Sequence, residues 1–247
     1  MTKIKTTRRA LMAGATLTAT VGASALCAGL TAAHAKQLDP LPRPQGPIRV
    51  AFLLDEQATM IDFAGPWEVF QDVFADHRNP SFELQVVAPT AEPIRVTGGM
   101  IITPTYSLDT APQPHVVVIP AQAGGVRPGP TTDVKVAWLR QVYDQAHVIM
   151  PVCTGAFLMA RTGLLDGRSV TTHHNFYDRF TEQFPQVNLL RGRRFVDSGN
   201  LVSAGGLTSG IDSALHVVAR YFGEDMAAAV AEYMEHDSAG WRTGVRA

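Results

Sequence analysis

Residues 147–160 read HVIMPVCTGAFLMA, and this stretch decides the fold. Its first six residues form a short apolar run typical of a buried strand, and residues 154–160 continue at once as an apolar helix. Cys153 is therefore expected on a tight strand-to-helix turn that pushes its side chain out at the carboxyl edge of a sheet and aims helix N–H groups at its sulfur. That environment favours the thiolate, and Gly155 suits a turn in which backbones pass closely. The pattern predicts a cysteine nucleophile elbow, with a buried structural cysteine as the alternative.

Strand and helix patterns alternate in the part of the chain that precedes this turn. Apolar strand patterns cover residues 48–54, 82–88 and 115–120, and helical spacing covers residues 63–74 and 134–146. Near-continuous apolar strands between helices predict an α/β fold, in which a mostly parallel sheet is covered by helices on both faces.

The C-terminal part of the chain continues with shorter elements. We expect strands at residues 169–171, 194–196 and 201–204, followed by helices at about 209–221 and 225–235. Ligands of such sheets bind at the carboxyl ends of the strands, where the turn places Cys153. A binding site is therefore expected around this cysteine.

The N-terminal 35 residues have the character of a targeting segment. They contain a paired arginine at positions 8–9, an Ala-rich apolar stretch and a small-x-small site at positions 33–35. These features predict a twin-arginine signal peptide over residues 1–35 that is removed after export. A membrane anchor is the alternative, but the stretch is weakly hydrophobic for a spanning helix.

The remaining chain divides into three parts. Residues 36–47 form a Pro-rich leader that is expected to be extended and poorly structured, residues 48–236 form one domain, and residues 237–247 form a C-terminal tail. We expect a periplasmic or secreted protein that is not stably inserted in a membrane once the signal is removed.

Composition excludes several classes of partner. The net charge is −1 and charged residues make up 17% of the chain, so there is no basic surface of the kind that binds nucleic acid. The histidines show no compact ligand spacing with Cys153, which predicts no metal site, and no cofactor is expected. The expected partners are a small-molecule substrate and a second copy of the chain in a homodimer.

Five stretches of the sequence carry a resemblance to a known family. They are DFAGPWEVF at 62–70, PVCTGAFL at 151–158, GLLDG at 163–167, VTTH at 170–173 and AGGLTSGID at 204–212. In this order they resemble the ThiJ/PfpI family of the class I glutamine-amidotransferase-like superfamily, in particular the branch that contains isonitrile hydratases and the sensor-like domain of certain AraC-type regulators. The resemblance implies a flavodoxin-like three-layer sandwich.

The resemblance also narrows the expected chemistry. Glutamine amidotransferases carry a His-x-Glu after the elbow, which this sequence lacks, and peptidase-like members have His where this chain has Thr154. Isonitrile hydratases resemble this chain in placing Thr after the cysteine and Asp at the position of Asp62, whereas glyoxalase-like and deglycase-like members generally have Glu there. Cys153, Asp62 and Thr154 are therefore the expected catalytic residues.

Each expected role has a structural alternative. Asp62 would protonate the adduct and later activate water, but it could equally be a helix N-cap. The backbone of Gly124 and Gly125 could donate to the adduct, or form an ordinary loop turn. His173 could polarise the thiol, or hold structure and line the pocket.

The function implied by these residues is that of an exported cysteine-dependent hydro-lyase. It would add water to an isonitrile through a thioimidate on Cys153 and release an N-substituted formamide. Two alternatives stay open: a non-catalytic ligand-binding or thiol redox and stress-sensing module of the same fold, and a glyoxalase-like or deglycase-like enzyme.

Overall fold

The computed structural model describes residues 39–74 and 81–247, and the expected signal peptide lies outside these residues. The strands are β1 (Ile48–Leu53), β2 (Phe82–Ala88), β3 (Ile94–Arg95), β4 (Ile101–Ile102), β5 (Tyr106–Ser107), β6 (Val116–Ile119), β7 (Val148–Pro151), β8 (Ser169–Val170), β9 (Asn188–Leu189), β10 (Phe195–Asp197), β11 (Val202–Ala204) and β12 (Val245–Arg246). The helices are α1 (Met60–Gln71), α2 (Thr132–Tyr143), α3 (Gly155–Ala160), α4 (Tyr177–Gln183), α5 (Ser209–Phe222) and α6 (Glu224–Tyr233).

The central sheet is parallel and places its strands in the order β5-β2-β1-β6-β7. Two isolated bridges, Ile149 with Leu201 and Val152 with Ala204, join β7 to β11. Beyond β11 lie β10, which is antiparallel to it, and β12, which is parallel to β10. The order of the first strands reverses at β1, as in flavodoxin-like folds, so the carboxyl ends of β1, β6 and β7 meet at a switch point.

Side chains of the central strands alternate between two apolar cores, one on each face of the sheet. In β6, Val116 and Val118 belong to the core beneath α1, α5 and α6, whereas Val117 and Ile119 belong to the core beneath α2, α3 and α4. Successive strand residues point to opposite faces, and all four are buried, which gives the continuous apolar run seen in the sequence. The flavodoxin-like three-layer sandwich is therefore confirmed.

Close packing between α1 and α5 fixes the helical layer that carries part of the site. A Cβ on Gly65 of α1 would lie 2.8 Å from Cγ1 of Ile211, and a Cβ on Gly210 of α5 would lie 3.2 Å from Cγ of Pro66. Glycine at both positions lets the two helices approach. The expected start of α1 at residue 63 is wrong, since the helix begins at Met60 and Pro66 lies beyond its first turn.

The described part of the Pro-rich leader is hydrogen-bonded to the domain, although its sequence predicts a poorly structured segment. Residues 39–47 have no helix or strand, as the prolines predict, yet the Leu41 N–H donates to the Arg220 carbonyl at 2.9 Å. Arg220 Nε in turn donates to the Asp39 carbonyl at 3.1 Å. These bonds attach the leader to the C-terminal turn of α5.

The expected tail at residues 237–247 is part of the packed domain. Trp241 is 2% exposed and belongs to the core beneath α5, and β12 pairs with β10 through Val245 and Arg246. One large apolar side chain, Trp241, fixes this otherwise mostly polar segment to the core. Among the helices of the described residues, none has the length and apolar character needed to cross a membrane.

Candidate active site at the β7–α3 turn

Cys153 lies between β7 and α3 with a backbone φ of +56°, in the left-handed region that residues other than glycine rarely adopt. Its N–H donates to the carbonyls of Gly205 at 2.7 Å and Ala204 at 3.2 Å, and its carbonyl accepts from Thr172 Oγ1 at 2.7 Å. Such a conformation costs of order 1–3 kcal/mol and persists only where the surroundings over-determine it. The strand-turn-helix elbow expected from the sequence is present.

Gly155 shows why this turn can be so tight. A Cβ at residue 155 would overlap the carbonyl oxygen of Ile119 at the end of β6. The start of α3 therefore lies directly against the neighbouring strand, and a side chain there has no space. Thr154, one residue before α3, is buried, and its backbone N–H contacts the Cys153 sulfur.

Asp62, a residue of α1, brings its carboxylate to the Cys153 thiol. Its carboxylate is fully buried, and Oδ2 accepts from the Ala121 N–H at 3.1 Å, while Oδ1 has no hydrogen-bond partner of good geometry among the described residues. The Cys153 thiol and the Leu207 N–H also approach this carboxylate and lower its pKa. The residue preceding α1 is Thr59, and Asp62 makes no capping bond, so the N-cap alternative is not supported.

Burial dominates the electrostatics of this pair. Desolvation raises the pKa of Asp62 from 3.8 to about 6, against the hydrogen bonds from Ala121, Cys153 and Leu207. Desolvation and the adjacent Asp62 charge raise the pKa of Cys153 to about 12, although the Thr154 and Leu207 N–H groups act in the opposite direction. Near neutral pH the pair therefore holds its shared proton on sulfur, as Cys–SH beside Asp–COO⁻.

The expectation of a lowered thiol pKa is consequently wrong for this resting state. The expected N–H groups are present, but α3 is only six residues long and its dipole competes with both burial and a neighbouring carboxylate. The Asp62 carboxylate is the proton acceptor in contact with this thiol.

Two backbone donors at the site carry no signal in the sequence. Ala121 follows β6, and Leu207 lies in the loop before α5 with a φ of +51°. Both contribute an N–H near the reacting pair, whatever their side chains. The one sequence signal for this loop is the pair of glycines at 205–206, because glycine permits a close approach of the backbone.

The structure gives Gly124 and Gly125 a different task from the expected one. The Gly125 N–H donates to the Gln122 carbonyl at 3.2 Å, so it is not free to donate to an adduct. Gly124 has a φ of +77°, and its carbonyl accepts from Thr132 Oγ1 at 3.0 Å. Gly125 is therefore part of a structured loop turn rather than an adduct donor, whereas a donor role for the Gly124 N–H stays a prediction.

This loop is held by two basic side chains. Lys135, fully buried on α2, donates to the Ala123 carbonyl at 2.8 Å and pairs with Asp55 at 2.6 Å. Arg161 donates to the carbonyls of Gly125 and Val126. Because the loop begins with Ala121, these bonds also help to fix the N–H that Asp62 accepts.

His173 is not brought into contact with the thiol. The groups that shift the pKa of Cys153 do not include it, and its Nδ1 accepts from the Asn175 N–H at 3.2 Å. Instead, its ring packs so closely on Gly206 that a Cβ there would overlap it. Of its two expected roles, the pocket-lining one agrees with this position.

A cleft of about 380 Å³, which we name the β10–α5 cleft, opens beside the elbow. Its walls include Thr172 and Gly205, which bond the Cys153 backbone, and Leu207, whose N–H reaches the reacting pair. Neither Cys153 nor Asp62 lines the cleft, which therefore adjoins the elbow through the residues that bond its backbone. Within residues 39–74 and 81–247, no group of three or more His, Cys, Asp or Glu side chains could hold a metal ion.

Known proteins match the chain over most of this domain. Isonitrile hydratase from Pseudomonas putida is 29% identical over 190 residues, which cover 76% of this chain and 78% of that protein. The HTH-type transcriptional regulator GbdR from Pseudomonas aeruginosa (strain UCBPP-PA14) is 27% identical over 77% of this chain, but the match spans 51% of the regulator.

A solved structure and a family model agree with these sequence matches. The crystal structure of a THiJ/PfpI family protein from Pseudomonas syringae superimposes with a TM-score of 0.66 at 23% identity, over 81% of this chain and 79% of that one. The model of the DJ-1/PfpI family matches residues 48–220. With the elbow, the buried carboxylate and this match together, the chain belongs to the DJ-1/PfpI family.

Proposed function

We propose that this protein is a cysteine-dependent hydro-lyase that adds water to an isonitrile and releases an N-substituted formamide. The observation that carries the proposal is the fully buried Asp62 carboxylate that contacts the Cys153 thiol without a compensating cation. Isonitrile hydration needs one group that attacks carbon and one that passes a proton to it. The likeness to isonitrile hydratase from Pseudomonas putida supports the choice of substrate class.

The first step forms the covalent adduct. Asp62 accepts the proton of the Cys153 thiol, and the thiolate attacks the electrophilic isonitrile carbon to form a C–S bond. Negative charge develops on that carbon, and the protonated Asp62 returns the proton to it, which leaves a neutral thioimidate. A pKa of about 6 suits Asp62 to both halves of this transfer, since it lies close to neutral pH.

The second step hydrolyses the adduct. Asp62, again a carboxylate, accepts a proton from water as the hydroxide adds to the thioimidate carbon, and it passes this proton to nitrogen. Asp62 then takes the hydroxyl proton as the carbonyl forms and the C–S bond breaks. The departing thiolate recovers that proton from Asp62, so that the formamide leaves and the resting pair is restored.

Backbone and side-chain donors would support both steps. The N–H groups of Thr154 and Leu207 contact the sulfur and stabilise it while it carries charge. The Thr154 hydroxyl is placed one residue from the nucleophile and supplies a further donor to the adduct. Neither His173 nor Gly125 is required in this scheme.

The direct test is a screen of purified protein against aliphatic and aromatic isonitriles, with the formamide detected by mass spectrometry. The proposal expects formamide production that disappears in Cys153→Ala. A panel of dicarbonyls is run beside it, because turnover of dicarbonyls alone would favour the glyoxalase-like alternative. If no compound of either panel is converted, the hydro-lyase proposal fails.

A second candidate function is a ligand-binding or thiol-sensing module without catalysis. Its ligand-binding form is favoured by the burial and raised pKa of Cys153, because an unreactive thiol suits binding without turnover. The thiol-sensing form needs the opposite, an exposed thiol of low pKa. The matches to HTH-type regulators such as GbdR are compatible with it. Saturable binding of small molecules by a protein that converts none of them would favour this module.

We also propose that the protein is exported and acts outside the cytoplasm as a homodimer. The paired arginine at positions 8–9 and the small-x-small site at 33–35 support export. N-terminal sequencing of exported material should begin at Lys36, and replacing both arginines with lysine should retain the precursor. Analytical ultracentrifugation of the mature protein tests the homodimer.

A further inference from the structure

The β10–α5 cleft has a one-sided charge. None of the side chains that line it, all of them in the described part of the chain, carries a carboxylate, whereas Arg193 and Arg194 both line it. The chain as a whole is nearly neutral, so this asymmetry is local rather than a reflection of composition. A cleft lined by positively charged side chains and by no carboxylate is electrostatically complementary to an anion.

The two arginines differ in how far their charge is compensated. Arg194 donates through Nε to Asp212 at 2.6 Å, pairs with it again through Nη2 at 2.5 Å, and donates to Thr208. Arg193 is exposed and makes no side-chain hydrogen bond or ion pair with any described residue. Arg193 therefore presents a guanidinium whose fork of donors is available to a ligand.

Two neutral donors face the same cleft. Nδ1 of His173 accepts from the Asn175 N–H, so its proton lies on Nε2, and burial together with His174 lowers the pKa of His173. The Tyr177 hydroxyl oxygen accepts from the Gly192 N–H at 2.9 Å, which leaves its own O–H to donate. Both residues line the cleft and offer a donor that no described residue takes up.

We infer that the β10–α5 cleft binds a carboxylate carried by the substrate, so that the natural substrate is an isonitrile bearing an acid group. One uncompensated guanidinium with two neutral donors matches a singly charged carboxylate better than a doubly charged phosphate. The cleft volume of about 380 Å³ suits a small molecule. Leu207 lines the cleft and its N–H contacts the Cys153 sulfur, so the inferred carboxylate site adjoins the elbow. The isonitrile group of the inferred substrate rests on the proposed function. The carboxylate of the substrate rests on the cleft alone.

Turnover and binding are measured separately, so that the two proposals can fail separately. The probes are ω-isocyanoalkanoates of increasing chain length and their methyl esters, which are matched in shape but uncharged. Wild type, Arg193→Gln and Arg43→Gln are compared for the kcat/KM ratio of acid over ester. The same three forms in a Cys153→Ala background are titrated with each probe by isothermal titration calorimetry.

Arg43→Gln is the matched control because it removes the same charge at the other end of α5. The Arg43 guanidinium lies 5.5 Å from the Phe222 ring centroid, at the last residue of a helix whose first residue, Ser209, lines the cleft. Fourteen helical residues separate the two positions by about 20 Å. Circular dichroism and melting curves verify that each variant is folded.

The inference expects the acid to be preferred over its ester, and Arg193→Gln to reduce this preference at least about tenfold in both assays. Arg43→Gln should leave it unchanged. Equal binding of acid and ester, or a preference that survives Arg193→Gln, overturns the cleft assignment and leaves the hydro-lyase proposal intact. Arg193-dependent binding of the acid without any turnover overturns the hydro-lyase proposal and leaves the cleft assignment intact.

Discussion

Asp62 and Asp197 are both buried carboxylates, but the protein surrounds them differently. Burial raises the pKa of Asp197 too, yet the His216 hydrogen bond at 2.8 Å and the nearby Arg220 charge outweigh this effect, and the pKa is lowered. Asp62 has only a backbone N–H, a thiol and a second backbone N–H, and its pKa rises to about 6. The difference teaches that a carboxylate left without a cation is kept ready to take up a proton.

The same contrast extends to the remaining buried aspartates. Asp55 pairs with Lys135 at 2.6 Å, and Asp212 pairs with Arg194 at 2.5 Å and His236 at 2.9 Å. Among the four aspartates buried in the described residues, Asp62 is thus the one without a cationic partner. Asp62 therefore differs from the other three in its partners rather than in its burial.

Replacing Cys153 with Ala should have the largest effect on activity. If the elbow is a reaction centre, turnover of any isonitrile found in the screen falls at least about 10³-fold, because the covalent route is lost. Melting curves should change little, since Ala adds no atoms to the turn. Retained turnover, measured as formamide release, would remove Cys153 from the mechanism.

Asp62→Asn should lower kcat at least about 10²-fold without lowering stability at neutral pH. The raised pKa means that wild type is stabilised by this group below pH 3.8 and loses the contribution as pH rises through about 6. Asn cannot ionise, so the variant should melt at the same temperature as wild type or higher at pH 7.5. Kinetics and melting curves at pH 7.5 and pH 4 check both statements.

Exposed Asp144 on the C-terminal side of α2 provides the control for that substitution. Asp144→Asn should leave kcat unchanged. A kcat for Asp62→Asn equal to that of this control would show that the carboxylate is not used as an acid or base.

Asp197→Asn should have the opposite effects to Asp62→Asn: a lower free energy of unfolding and an unchanged kcat. Removing Asp197 leaves the buried Arg220 without its counterion and His216 without its hydrogen-bond partner, and we expect a loss of about 2–4 kcal/mol in unfolding free energy. Because its pKa is lowered, Asp197 contributes stability above pH 3.8 and loses it as pH falls below that value. Urea unfolding at pH 7 and pH 2.5 should therefore show a smaller difference at pH 2.5.

Alkylation of the thiol measures the charge of Asp62 directly. Iodoacetamide should modify wild-type Cys153 slowly at pH 7, since burial and Asp62 raise the thiol pKa to about 12. Asp62→Asn removes the adjacent negative charge and should accelerate modification by about tenfold. Rapid modification of wild type, with a rate profile that titrates near the free-cysteine value of about 8.5, would contradict the shared-proton pair.

Thr154→Val should have the smallest effect. It removes a hydroxyl donor but keeps the shape of the side chain and the backbone N–H that contacts the sulfur. We expect kcat to fall only a few-fold, within about 1 kcal/mol of transition-state stabilisation. A loss as large as that of Asp62→Asn would assign the hydroxyl a direct part in proton transfer.

The order of the central elements was predictable because their residues are buried on both faces or follow one helical period. The elbow was equally predictable, since only three residues separate the end of the apolar strand β7 from the start of α3, and Cys153 is the middle one. Short edge elements such as β3 and β4 were missed, because two-residue strands hold no detectable period.

The sequence predicted the parts of the candidate site that are formed by side chains, but not those formed by backbone N–H groups. Cys153 and Asp62 were found from their residue types, and the structure brings them together. Ala121 and Leu207 act through N–H groups that every non-proline residue has, and the raised thiol pKa depends on burial that no local pattern reveals. Trp241 likewise packs against residues distant in sequence, which is why the terminal segment was misjudged.

The fit of Gly155 against the Ile119 carbonyl oxygen makes the spacing of the reaction centre a property of the backbone. Any side chain at position 155 would act as a wedge between the ends of β6 and β7, and these ends carry the Ala121 N–H and Cys153 respectively. Because the obstacle is a backbone carbonyl rather than a flexible side chain, even alanine at position 155 would have to displace the end of β6. Glycine is thus the residue whose shape lets the Ala121 N–H and Cys153 keep their present separation.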